Sequence, residues 1–162
     1  MIQTAMKDLK LNIQIKECQL DELSDIDRSI INMAIEATDT SYAPHSHFRV
    51  GACVLLADGT IQRGCNQENA AFPAGICAER SAIFAAGAQH PEQAVKILAI
   101  AARGTQGELT QEPVSPCGTC RQVMIETEKR FGQPIHILLY GQRCVYVMDG
   151  IHNLMPLSFT EF

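Results

Sequence analysis

Two short stretches carry side chains suited to metal chemistry: Cys77-Ala78-Glu79-Arg80, and Ser115-Pro116-Cys117-Gly118-Thr119-Cys120-Arg121-Gln122. Both open segments that read as helices. Pro116 suits a helix start, where a missing N–H costs nothing. The three-residue step from Cys117 to Cys120 aims two sulfurs at one side of a first turn. Cys77 supplies a third if the two helix starts converge. Zinc on three protein ligands keeps a position open for water, whereas a structural site is closed by four. His45, His47, His90, His136 and His152 all stand outside both motifs, at no metal-ligand spacing, so no fourth ligand is evident. A Cys-x-x-Cys alone is also compatible with redox chemistry. Its pairing with Cys-Ala-Glu at another helix start is what points to a metal, and soft thiolates favour zinc.

Charge explains the placement. Three thiolates around a divalent cation leave a net negative site, which blunts the metal's pull on a bound water. Each helix N-terminus contributes about half a positive charge, so two of them offset about one unit. Arg80 adds positive charge or hydrogen bonds at the sulfurs. Glu79 lies two residues beyond a ligand and is not needed for coordination, so it is free to take a proton from water and deliver it to a substrate.

The elements that must hold these groups are readable from pattern. Leu23, Ile26, Ile30, Ala34 and Ala37 form a helical stripe, with Asp21 or Ser24 as its cap. Phe48–Leu56 and Thr60–Cys65 flank an Asp-Gly turn and predict a hairpin. Residues 66–76 read as loop and Ala78–Ala88 as helix. Val95–Ala101 is apolar apart from Lys96, and is expected as a strand covered on both faces. A helix over Gly118–Lys129 ends at Gly132 and Pro134. Ile135–Tyr140 and Val145–Met148 read as strands, and the tail from Asn153 as a short helix. The fold class expected is α/β, a mixed β-sheet with helices packed on it. Residues 1–20 read as an N-terminal appendage, with an edge strand where Leu11, Ile13 and Ile15 alternate with polar neighbours. Residues 21–162 read as a single domain. Cys18, Cys53, Cys65 and Cys144 fall in or beside strands, or just ahead of the first helix, and read as packing residues.

Composition narrows the function classes. Apolar residues make up 46% of the 162 and charged residues 19%, which excludes wholesale disorder. A formal charge of −5 with scattered basic residues gives no footprint for nucleic acid or an anionic membrane. No apolar run is long enough to span a bilayer, and the N-terminus lacks a signal-peptide core. A cytoplasmic location is therefore expected, and the seven cysteines are expected to stay out of disulfides there.

CAER at 77–80 and SPCGTCRQ at 115–122 resemble the zinc deaminases, whose pattern is His or Cys, then Glu, then Pro-Cys-x-x-Cys. The resemblance is to the cytidine deaminase family, in its compact type acting on free nucleosides. It extends through SYAPHSHFRVGA at 41–52, GCNQENAAFPAGICAER at 64–80 and LMPLSF at 154–159, and residues 1–20 lie outside it. The resemblance implies a cytidine-deaminase-like three-layer arrangement. It also implies that Cys77, Cys117 and Cys120 bind one Zn²⁺ per subunit, with Glu79 as proton shuttle. Phe48 would pack against the pyrimidine, and Asn66 and Glu68 would hydrogen-bond the ribose 3′-hydroxyl. Backbone groups at Ala78 and Ser115 would read the amide edge of cytosine. Phe159 would be placed near the sugar by a neighbouring subunit of a homotetramer. The implied reaction is hydrolytic deamination of cytidine and 2′-deoxycytidine in pyrimidine salvage. Phe72 and His45 stand where the family usually has Tyr.

Three rival readings make different demands. A deaminase for another aminopyrimidine nucleoside, such as blasticidin S, fits poorly with an Asn66–Glu68 pair suited to an unmodified ribose. A polynucleotide deaminase usually carries His in place of Cys77 and needs a basic path for the strand. A zinc-stabilised interaction module without catalysis requires a fourth protein ligand.

Overall fold

A computed structural model of the chain describes residues 6–161. The elements run β1 (Lys16–Cys18), α1 (Asp25–Ala37), β2 (Arg49–Leu56), β3 (Ile61–Cys65), α2 (Ala78–Gln89), β4 (Val95–Arg103), α3 (Gly118–Phe131), β5 (His136–Tyr140) and β6 (Val145–Asp149). One six-stranded sheet has the order β1-β6-β5-β4-β2-β3. Among these six strands only β4 and β5 pair in parallel, and α3 makes the crossover between them.

Strand alternation sorts the core into two layers. Ala52, Val54 and Leu56 of β2, Leu98 and Ile100 of β4, and Ile137 and Leu139 of β5 pack toward α2 and α3. The intervening Cys53, Ile97, Ala99, Ala101 and Leu138 pack toward Ile30, Ile31 and Ala34 of α1. The mixed α/β sheet expected from the sequence is therefore sandwiched between α1 and the α2–α3 pair. Residues 97–102 of β4 are buried on both faces because both layers cover them, as their unbroken apolar run demands.

Two glycines set how closely the helices approach. A Cβ on Gly51 would lie 2.1 Å from the Ala34 carbonyl oxygen of α1. One on Gly64 would lie 2.4 Å from the Ala82 amide nitrogen and 2.6 Å from the Ala78 carbonyl oxygen. The second contact presses the first turns of α2 onto β3, which fixes where Cys77 sits.

Some local expectations shift. Ser24, not Asp21, caps α1, its hydroxyl accepting from the Asp27 N–H. Ile26 is half exposed while Ile31 is fully buried, because the face of α1 that meets the sheet is rotated by about one residue. The edge strand does not form over Leu11–Ile15; it forms at Lys16–Cys18, where β6 offers a partner. The tail helix expected from Asn153 is a single 3₁₀ turn, Ile151–Asn153. It is held by Glu128, whose carboxylate accepts from the Ile135 and Ile151 N–H groups. Among the described residues no helix is long and apolar enough to cross a membrane.

Replacing Gly64 by Ala forces a methyl into backbone that cannot rotate aside. We expect a loss of about 1–3 kcal/mol, the usual cost of overpacking, read by chemical denaturation. Unchanged stability would show that α2 does not press on β3 as described.

Candidate active site

Cys77 and Cys117 are the N-cap residues of α2 and α3, and Cys120 lies in the first turn of α3. The two helix starts converge. The Sγ atoms of Cys77 and Cys117 are 3.9 Å apart, those of Cys117 and Cys120 are 3.6 Å apart, and all three lie within 4.8 Å of one another. Sulfurs bound tetrahedrally to zinc at about 2.3 Å sit about 3.8 Å apart, so the set has the size of a zinc site. Among the described residues no other His, Cys, Asp or Glu joins the group. Three ligands leave the fourth tetrahedral position open.

The surroundings favour thiolate. Cys77 is held well below the usual thiol range, first by the neighbouring Cys120 thiol and then by Arg80 and Cys117. Arg80 Nη2 lies 3.7 Å from Cys77 Sγ. Cys120 is fully buried and its pKa is pushed upward, first by the neighbouring Cys77, then by its burial and by Glu79. Without a metal, one thiolate forms easily and the next does not. A divalent cation removes that conflict, and the positive ends of two helices add to its effect.

Glu79, the second residue of α2, is 4% exposed and borders Cys120. Burial raises its pKa, the cause that outweighs all others there. A carboxyl so raised holds a proton more readily near neutral pH than a surface glutamate does.

A cavity of about 580 Å³ opens from Cys77 and Arg80 toward His45, Asn66, Glu68 and Phe72, a size typical of small-molecule sites. Its wall is organised by side-chain-to-backbone bonds. Asn66 Oδ1 accepts from the Val50 N–H at 2.8 Å, and Asn66 Nδ2 donates to the Phe48 carbonyl at 2.9 Å. The Glu68 carboxylate accepts from the His45 and Ser46 N–H groups at 2.8 and 3.2 Å and from the Ser46 hydroxyl. These bonds, the Ser46 hydroxyl first, hold its pKa below the usual carboxylate range. Both residues thus brace the 45–50 segment that carries Phe48, and Asn66 keeps one N–H and one lone pair uncommitted. His45 and Phe72 meet edge to face at 6.1 Å.

The remaining sequence-predicted residues are spread more widely. Ala78 is buried at the first turn of α2, where N–H groups lack helical partners. Ser115 is exposed just before Pro116. Phe159 is 64% exposed on the tail, its carbonyl accepting from Gln122 Nε2, and it does not line the cavity of its own protomer. Pattern reading missed Arg121. Its Nε donates to the Pro116 carbonyl at 2.8 Å and its Nη1 to the Leu154 carbonyl at 2.6 Å. That guanidinium ties the ligand-bearing turn to the tail. The only signal was a basic residue directly after Cys120, and its partner lies 33 residues away.

Residues 24–131 match the family described as the cytidine and deoxycytidylate deaminase zinc-binding region. The chain belongs to that family. It is similar to the cytidine deaminase of Halalkalibacterium halodurans, 43% identical over 97 residues, which cover 60% of this chain and 68% of that protein. It is also similar to the cytidine deaminase of Mycobacterium tuberculosis H37Rv, 34% identical over 105 residues, covering 64% and 74% respectively. The crystal structure of cytidine deaminase from Burkholderia pseudomallei superposes with a TM-score of 0.71 at 34% identity. That match covers 85% of this chain and all of the other. The family is one of hydrolytic deaminases, and its zinc-binding region spans Cys77, Cys117 and Cys120 here.

In the metal-free protein we expect iodoacetamide to modify Cys77 before Cys120. Because the Cys77 pKa is lowered, its alkylation should persist to a lower pH than that of an ordinary thiol, and zinc should protect both residues. Peptide mass spectrometry reads the outcome. Equal rates at the two residues would contradict the opposite shifts of Cys77 and Cys120.

Proposed function

We propose that the protein hydrolyses cytidine and 2′-deoxycytidine to uridine and 2′-deoxyuridine with release of ammonia, as a cytoplasmic homotetramer serving pyrimidine salvage. One observation carries the reading: three sulfurs meet at two helix N-termini with a fourth position open and a buried carboxyl alongside. Catalytic geometry of that kind needs no fourth protein ligand, which sets it apart from a structural zinc module.

When zinc is bound to Cys77, Cys117 and Cys120, it supplies Lewis-acid polarisation and a water of near-neutral pKa. The chain's own groups do the rest. The Glu79 carboxylate takes a proton from the water whose oxygen bonds to C4, and hands that proton to N3 of the cytosine ring. It then helps protonate the amine leaving C4. Its raised pKa suits both halves of that task, since a shuttle works best when its affinity for protons lies near the working pH. Arg80 balances thiolate charge from the cavity side. Backbone groups of Ala78 and Ser115 read the amide edge of the base, and Phe48 packs against its ring. Asn66 and Glu68 take the 3′-hydroxyl, which both substrates share, while holding the wall that carries Phe48. Phe159, exposed on its own protomer, reaches a neighbour's site. Burial of the base excludes water and strengthens each of these contacts.

The loss of cytidine absorbance tests the reading. Zinc-loaded protein should turn over both nucleosides, and Glu79→Gln should lower kcat by about 10²–10⁴-fold with zinc retained. No turnover by fully loaded protein, or full activity of the variant, would overturn it.

A further inference from the structure

Among the described residues, none before β1 lines the cavity or joins the cysteine cluster, and the segment lies ahead of residues 24–131. Residues 6–17 are exposed throughout. Leu9, Leu11, Ile13 and Ile15 alternate with Lys10, Asn12, Gln14 and Lys16, and their exposures are 75, 47, 48 and 44%. Alternation of this kind describes a strand with one apolar face. Yet only Lys16–Cys18 pairs with β6, and β1 is the outermost strand of the sheet. The Gln14 N–H is committed inward, to Asn153 Oδ1 at 2.8 Å. In an extended chain the N–H and C=O groups of the odd-numbered residues then face outward, unpaired. None of Lys7, Asp8, Lys16 and Glu17 forms an ion pair within its own protomer among the described residues.

We propose that this arm pairs antiparallel with the same arm of a second copy, across a twofold axis at Asn12, so that two sheets join edge to edge. The register is dictated by charge and by the apolar pattern. About Asn12, Leu9 stands opposite the partner's Ile15, and Leu11 opposite the partner's Ile13. Lys7 then meets the partner's Glu17, and Asp8 meets the partner's Lys16, each twice by symmetry. Neighbouring registers lack this match. Centred on Ile13, Lys10 stands opposite the partner's Lys16 and Leu9 opposite the partner's Glu17. Centred on Leu11, Lys7 stands opposite the partner's Ile15, and neither charge pair forms. An axis between residues sets apolar side chains against polar ones along the whole strand. Opposite charges and matched apolar pairs across strands each stabilise, and like charges directly opposite destabilise. The outward-facing odd residues pair with odd residues of the copy, as an antiparallel ladder requires.

The test is site-directed disulfide trapping in the zinc-loaded full chain, with oxidised glutathione as oxidant and the parent, with its seven cysteines, as control. Asn12 faces its own copy in a pair that exchanges no backbone hydrogen bonds. The Cα separation of such a pair, about 4.5 Å, lies within disulfide range. Asn12→Cys should yield a linked dimer on non-reducing gels at least about tenfold above Gln14→Cys, whose copies lie out of reach of each other. Lys10→Cys mixed with Gln14→Cys should give the mixed dimer. Asp8→Lys added to Asn12→Cys should slow linkage about two- to fivefold, and further Lys16→Asp should restore it. Linkage of Asn12→Cys no greater than that of the parent, or equal linkage of Gln14→Cys alone, overturns the pairing. Cytidine turnover of the reduced variants is a separate readout, so failure of the arm pairing and failure of the proposed reaction are distinguishable.

Discussion

Three sulfur atoms held within a few ångströms of one another repel as they ionise, and the rest of this structure is arranged around that repulsion. A single thiolate at Cys77 already drives the pKa of its neighbour Cys120 upward. What makes a triply ionised cluster tenable is positive charge delivered from fixed directions: two helix N-termini, the Arg80 guanidinium and a divalent cation. The helix starts must therefore meet, and the sheet makes them meet. Gly64 lets α2 press against β3, while the β4–α3–β5 crossover carries the start of α3 to the same end of the sheet. Arg121 then fixes the turn before Cys117 from the tail side.

The cavity obeys a second constraint, that a polar wall must be rigid before it can select a ligand. Asn66 and Glu68 spend most of their hydrogen-bonding capacity on the backbone of residues 45–50. Such bonds cost nothing at the moment a ligand binds, because they are already formed. Glu79 shows the opposite economy. It is buried beside the three cysteines, an unfavourable place for a carboxylate, and the raised pKa that results suits the proton transfer proposed for it.

The chemistry was more legible than the placement. Cysteine spacing, Pro116 and Glu79 announced a metal site at two helix starts because ligand geometry and capping are local properties of sequence. The hairpin and the doubly covered 97–102 stretch of β4 were legible for the same reason, since Asp-Gly turns and unbroken apolar runs have few structural solutions. What escaped was long-range. Whether Ile26 or Ile31 faced the sheet depended on how α1 rolls against β2, and Gly51 decides that approach. Whether Leu11–Ile15 or Lys16–Cys18 formed the edge strand depended on where β6 stops. The Arg121 contacts and the bracing roles of Asn66 and Glu68 join residues far apart in sequence, so no local pattern encodes them.

The claim on which the account turns is that three thiolates leave one coordination position to a light atom. Zinc K-edge X-ray absorption on the zinc-loaded protein measures this directly. The account expects three sulfurs at about 2.3 Å and one oxygen or nitrogen at about 2.0–2.1 Å. Four sulfurs, or a shell without sulfur, would contradict it.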